Sequence, residues 1–327
     1  MHIPENYLSP STCAVATVAM VPIWATAVRK VRESVPREKM PLLGVAAAFC
    51  FLSMMFNIPL PGGTTGHAVC GTLIAILFGP WSAVIAVSIA LAIQAVFFGD
   101  GGILALGANC LNMAFVLPFV GYAVYGWLKD RLGGERGEVL AAGIGSYVGL
   151  NAAALCAALE FGIQPLLFTD AAGNALYCPY PISVAVPAML LGHLTVAGLA
   201  EAGFTMGILS FLRNTVPSFG IEGKESDDKA VPALALVGAL IAATPLGLLA
   251  TGDAWGEWGL EDLAQMVGYE PAGMATGWEW NSLMPDYAIG SLPEWIGYIL
   301  SAVIGAALLI IIFRLLAGMA KPEVNFD

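Results

Sequence analysis

Charge is scarce in this chain: Asp, Glu, Lys and Arg make up only 11% of 327 residues, against 58% hydrophobic residues. Soluble domains carry about 25% charged residues, so the composition excludes a water-soluble fold and calls for a bilayer to cover the apolar surface. Histidine is scarcer still, limited to His2, His67 and His193. Because only His193 lies within an apolar run, a membrane redox protein clasping haem between two histidines is disfavoured. The chain has no GxxxxGK[ST] phosphate loop; GIEGKES at 220–226 lacks the spacing and the hydroxyl that follows the lysine. ATP hydrolysis by that route is excluded. No serine, cysteine or carboxylate constellation argues for an enzyme, and no basic groove argues for nucleic acid. The six cysteines (Cys13, Cys50, Cys70, Cys110, Cys156 and Cys178) show none of the paired spacings of zinc or redox motifs and read as small hydrophobes.

A bilayer crossing takes about 20 predominantly apolar helical residues. Segments at about 12–28, 42–56, 68–79, 82–98, 103–128, 139–160, 182–212, 231–250 and 295–313 meet or approach this, predicting an all-α polytopic membrane bundle of about nine transmembrane segments. The third is the weakest, and Gly79-Pro80 at its end leaves open a half-helix. With nine crossings, all 13 Lys and Arg fall at 29–39, 129–136, 213–229 or in the tail from Arg314. The opposite connections contain none. The positive-inside rule then predicts an external N-terminus and a cytoplasmic C-terminus. A polar, turn-rich linker at 216–230 separates a first domain, 1–215, from a two-span unit, 231–327. His2 and His67 come to the same external side.

Residues 12–28 lack a basic n-region and a small-residue cleavage site, so no secretory signal peptide is expected. Met1 is expected to stay, because aminopeptidases remove it only before a small side chain. The α-amine of Met1, the amide nitrogen of His2 and its imidazole can then close fused five- and six-membered chelate rings, with three nitrogens in one plane. His67 would supply a fourth. Such a set suits Ni(II) or Cu(II) and admits Co(II), whereas zinc prefers tetrahedral sites and calcium or magnesium prefer oxygen. On the residues alone a second reading stands beside this one: His2 a solvated terminal residue, and His67 a cap on the third span.

MHIPENYLSP (1–10), PLPGGTTGHAVCGTL (59–73), FFGDGGILALGANCLNMA (97–114) and GHLTVAGLAEAG (192–203) together resemble the CbiM/NikM family, the cobalt/nickel substrate-binding membrane components of energy-coupling factor transporters. The stretch from 231 onward is similar to their small NikN/CbiN accessory subunit, here fused. The resemblance implies that Met1, His2 and His67 hold the metal, with Ni(II) or Co(II) as transported cargo and no organic cofactor. It also implies a transmembrane coupling subunit and two ATPase subunits as partners supplied in trans. Because cobalt systems often keep the accessory subunit separate, the fusion points toward nickel. A self-contained carrier using Glu201 and His193 as a proton relay is the alternative.

Asp100, in FFGDGG, is a candidate to orient a ligand histidine or to cap a plain turn. Asn109 and Asn112, three residues apart on one helical face, are candidates to hold the metal loop or to join helices. His193 and Glu201 are intramembrane ionisable groups and so functional suspects without an assigned role. Gly44, Ala46, Ala47 and Ala48 permit close helix approach, either to a coupling subunit or inside the chain. The loop at 251–293 holds Asp253, Glu257, Glu261, Asp262, Glu270, Glu279, Asp286 and four tryptophans with no basic residue. Two readings stand: a loop that concentrates divalent cations near the entrance and rests its aromatics on the membrane surface or on the metal-loop region, or a solvated acidic loop with interfacial tryptophans; none of its carboxylates is assigned as a ligand.

Overall fold

A computed structural model describes residues 1–215 and 230–319; the linker expected at 216–230 falls, but for its last residue, outside them. Among the described residues seven helices are long and apolar enough to cross a membrane: α1 (Pro10–Ser34), α4 (Pro80–Phe98), α5 (Leu106–Leu132), α6 (Gly134–Leu167), α7 (Ile182–Thr215), α8 (Val231–Leu249) and α9 (Glu294–Gly318). The two other expected segments form shorter helices, α2 (Met40–Met54) and α3 (Gly71–Phe78). At 1.5 Å per residue, the eight residues of α3 extend about 12 Å, well short of a hydrocarbon core of about 30 Å. It is therefore a half-helix, which Gly79, at φ 85°, and Pro80 separate from α4.

Local chemistry sets the helix boundaries. Ser9 caps α1 by accepting a hydrogen bond from the Thr12 amide, with Pro10 in the first turn. Gly133 and Gly134, at φ 61° and 66°, reverse the chain between α5 and α6. These two helices then pack backbone to backbone. A Cβ on Gly149 would stand 2.5 Å from the Leu117 carbonyl oxygen, so no side chain fits there.

The residues of α2 from Leu43 to Met54 are buried. Its small residues accept the fused unit: a Cβ on Gly44 would lie 2.8 Å from Phe313 Cβ of α9. Packing inside the chain thus accounts for the small face. An aromatic cluster continues this contact outward, with Phe98 stacked on Tyr287 at 4.8 Å and Phe51 5.6 Å from Phe98. A two-stranded hairpin, β1 (Ile58–Leu60) and β2 (Thr64–Gly66), turns through Gly62 and Gly63 at φ 91° and 79° and delivers the chain to His67.

Candidate metal centre

The first nine residues form a thread fixed inside the protein. Met1, His2 and Ile3 are 3%, 2% and 0% exposed. Ile3 is held on both sides of its backbone: its amide donates to Asn109 Oδ1 at 2.8 Å, and its carbonyl accepts from Asn109 Nδ2 at 3.0 Å and from the Gly102 amide at 2.8 Å. Glu5 accepts from the Ile103 and Leu104 amides. The Cys178 amide donates to the Tyr7 carbonyl, and Tyr7 Oη donates to the Trp258 carbonyl at 2.6 Å. These bonds leave His2 no freedom to be a solvated terminal residue.

His67 arrives from the hairpin. Its Nε2 lies 3.2 Å from His2 Nδ1, with the ring centroids 4.9 Å apart, and its Nδ1 lies 3.3 Å from the Ala68 carbonyl oxygen. It makes no bond to the start of α3; the amides just ahead of that helix, at Val69 and Cys70, bond to Glu201. Burial, and after it the nearby His2 and N-terminal amine, hold the His67 ring well below the ordinary histidine range. The ring is neutral at pH 7, with a lone pair available.

Two carboxylates flank the cluster. Asp100 Oδ1 lies 3.1 Å from His2 Nδ1, and its Oδ2 accepts from Gln94 Nε2 at 3.1 Å and from Tyr287 Oη at 2.5 Å. The Met1 amine pairs with Glu257 Oε1 at 2.9 Å. Glu257 thereby departs from the solvated reading of the loop's individual carboxylates. Trp255 packs against Phe161 and Tyr180, which seats the loop on the N-terminal half, whereas Trp278 and Trp280 stack on each other at the surface, each 45% exposed. Asp253 and Gly252 add main-chain bonds, accepting from the Thr65 amide and hydroxyl. His2 Nε2 is buried without a hydrogen-bond partner among the described residues.

The structure brings Met1, His2, His67, Asp100 and Asn109 together. Asn112 is directed elsewhere, donating to Glu160 Oε2 at 2.6 Å between α5 and α6. His193 Nδ1 bonds to the Met189 carbonyl one turn earlier in α7. Sequence reasoning missed Gln94, Glu257 and Tyr287. Gln94 carried a signal, a lone amide in the apolar run LAIQAVFF, but the other two were ordinary members of an acidic, aromatic loop. Among the described residues no three His, Cys, Asp or Glu side chains converge as a metal site. The candidate set therefore depends on main-chain nitrogens.

Comparison with known proteins agrees with this arrangement of a helical body and a fused unit. Residues 2–219 match the family model described as the cobalt uptake substrate-specific transmembrane region, and residues 229–321 match the PDGLE domain. The fused nickel transport protein NikMN of Rhodobacter capsulatus is 48% identical over 341 residues, covering 98% of each chain. The probable fused nickel transport protein LarMN of Lactiplantibacillus plantarum is 46% identical, covering 96% of this chain and 97% of its own. A crystal structure of a truncated transition metal transporter, 53% identical, superposes with a TM-score of 0.62 over 65% of this chain and 99% of its own. The chain belongs to the CbiM family of substrate-specific transmembrane proteins and carries a PDGLE domain behind the CbiM region.

Proposed function

We propose that this chain is the substrate-binding membrane subunit of an ATP-driven energy-coupling factor transporter for nickel or cobalt. It captures the ion through the Met1 amine, the His2 amide and ring, and His67. The observation that carries this reading is the 3.2 Å approach of His2 Nδ1 and His67 Nε2, both rings buried, beside a buried N-terminal amine. Nδ1 is the ring nitrogen that closes a six-membered chelate with the His2 amide, while the amine closes a five-membered one. With metal–nitrogen bonds of about 2.0 Å, neighbouring corners of a square lie roughly 2.8 Å apart. Small adjustments of the two rings would make them such neighbours.

Four nitrogens in a plane favour Ni(II) over oxygen-seeking or tetrahedral ions. Binding displaces protons from the amine and the amide, so affinity rises with pH across the neutral range. Asp100 beside the imidazole and Glu257 beside the amine offset the charge of the dication, and Glu257 stands next to one of the groups that release those protons. The relatives named as nickel transport proteins support the choice of cargo.

Energy comes from two ATPase subunits acting through a transmembrane coupling subunit, and docking on that subunit reorients the chain for inward release. The proton-relay carrier has less support, because Glu201 is occupied by backbone amides and His193 Nδ1 by a backbone carbonyl. Concentrative uptake by the purified chain alone under a proton gradient would favour the carrier. The chelate itself is tested by acetylating the Met1 amine, which removes its lone pair and with it the five-membered ring. Calorimetric titration is expected to show severe loss of Ni(II) binding; retained affinity would overturn the assignment.

A further inference from the structure

Glu201 sits within the apolar helix α7 and is fully buried. Its carboxylate reaches across to the start of α3: Oε2 accepts from the Val69 amide at 2.7 Å and the Cys70 amide at 3.0 Å, and Oε1 lies 3.0 Å from the Cys70 amide. Negative charge is favoured at a helix N-terminus, where main-chain N–H groups are otherwise unpaired. Cys70, the residue before α3, is held at φ 60°, a left-handed conformation unusual for a side chain other than glycine, asparagine or aspartate. The cap that α3 does not supply locally comes from a separate helix.

Val69 is two residues beyond His67. The chain between His67 and Cys70 is buried and belongs to no regular element, so its path is set by its anchors. Thr65, bonded to Asp253 and Gly252, is the anchor on the near side, and Glu201 is the anchor on the far side. The same helix touches the loop again, since a Cβ on Gly192 would lie 2.9 Å from Leu60 Cδ1 of the hairpin. The other ligand segment is fixed in the same manner, Asn109 clasping Ile3 directly after His2. Each histidine thus precedes a main-chain group held by one buried polar side chain.

We propose that Glu201 is a positioning residue for the metal: through the Val69 and Cys70 amides it sets the point from which the His67 ring reaches the chelate, and so governs how long the ion is held. This rests on the ligand set of the preceding section and assigns Glu201 a role distinct from proton relay.

The test uses the full chain purified in detergent and loaded with Ni(II), following release to excess chelator together with the visible ligand-field band. Glu201→Gln replaces one acceptor oxygen by an NH2 that faces the Cys70 amide. It is expected to speed release roughly tenfold or more, the scale of one lost hydrogen bond to a charged group, and to shift the band. In a His67→Ala background it should change neither. Unaltered release and band in Glu201→Gln, or equal acceleration with and without His67, would reduce Glu201 to a structural cap and overturn the proposal. If His67→Ala alone leaves release unchanged, the chelate falls and this proposal falls with it. Should Glu201→Gln not fold, Glu201→Asp keeps the carboxyl group but withdraws it by one methylene, and the same dependence on His67 is expected.

Discussion

A proton on His67 is opposed by burial first and then by the neighbouring His2 and N-terminal amine. Unfolding removes all three and returns the ring to its ordinary value of 6.5. Below that pH the unfolded chain binds more protons than the folded one, so stability falls as pH falls from 6.5 toward the folded value and is level above it. Each pH unit crossed in that window costs about 1.4 kcal/mol. The metal-free protein is therefore expected to melt at lower temperature at pH 5 than at pH 7 in detergent. His67→Gln should flatten that difference; an unchanged slope in the variant would show that the ring does not carry it.

The elements that matter most here are irregular. The N-terminal thread and the loop after β2 hold the candidate ligands, while the long helices supply the groups that pin them. Gly102 shows how little room the thread has: a Cβ there would stand 2.8 Å from the Glu5 amide nitrogen and 2.9 Å from the Pro4 carbonyl carbon, both backbone atoms. Gly102→Ala is expected to push the thread off Asn109 and weaken Ni(II) binding by about 1–3 kcal/mol, the usual cost of overpacking. Gly203→Ala, in α7, meets nothing within 4 Å and serves as the control that leaves binding unchanged. Calorimetry on the two variants separates displacement of the thread from a general effect of losing glycine.

At the scale of the whole molecule, the fused unit is part of the candidate site. It contributes the Glu257 partner of the amine, the Tyr287 hydroxyl on Asp100, the Trp258 carbonyl on Tyr7 and the main-chain partners of Thr65. It also fills the groove over Gly44 of α2. Residues 1–219 produced without the rest of the chain are expected to release Ni(II) faster than the full chain, and to recover slow release when 229–327 is co-expressed. Equal release rates would show that the unit leaves the ion's residence untouched.

Hydropathy and local chemistry were enough to predict a helical membrane bundle and the break at Gly79-Pro80, because each depends on residues close together in the chain; the chelate proposed for Met1, His2 and His67 joins histidines 65 positions apart, which charge bias put on one side. The weakness of the third segment was legible too, although its shortening to a half-helix was left open. What no local pattern could reveal was the company those residues keep. Glu257 lies 256 positions from Met1, Tyr287 lies 187 from Asp100, and Glu201 lies 132 from Val69. Only folding chooses one carboxylate from an acidic loop, or turns an intramembrane glutamate into the cap of a distant half-helix. Buried main-chain amides and an N-terminal amine must find partners wherever packing brings them, and packing is a property of the folded chain.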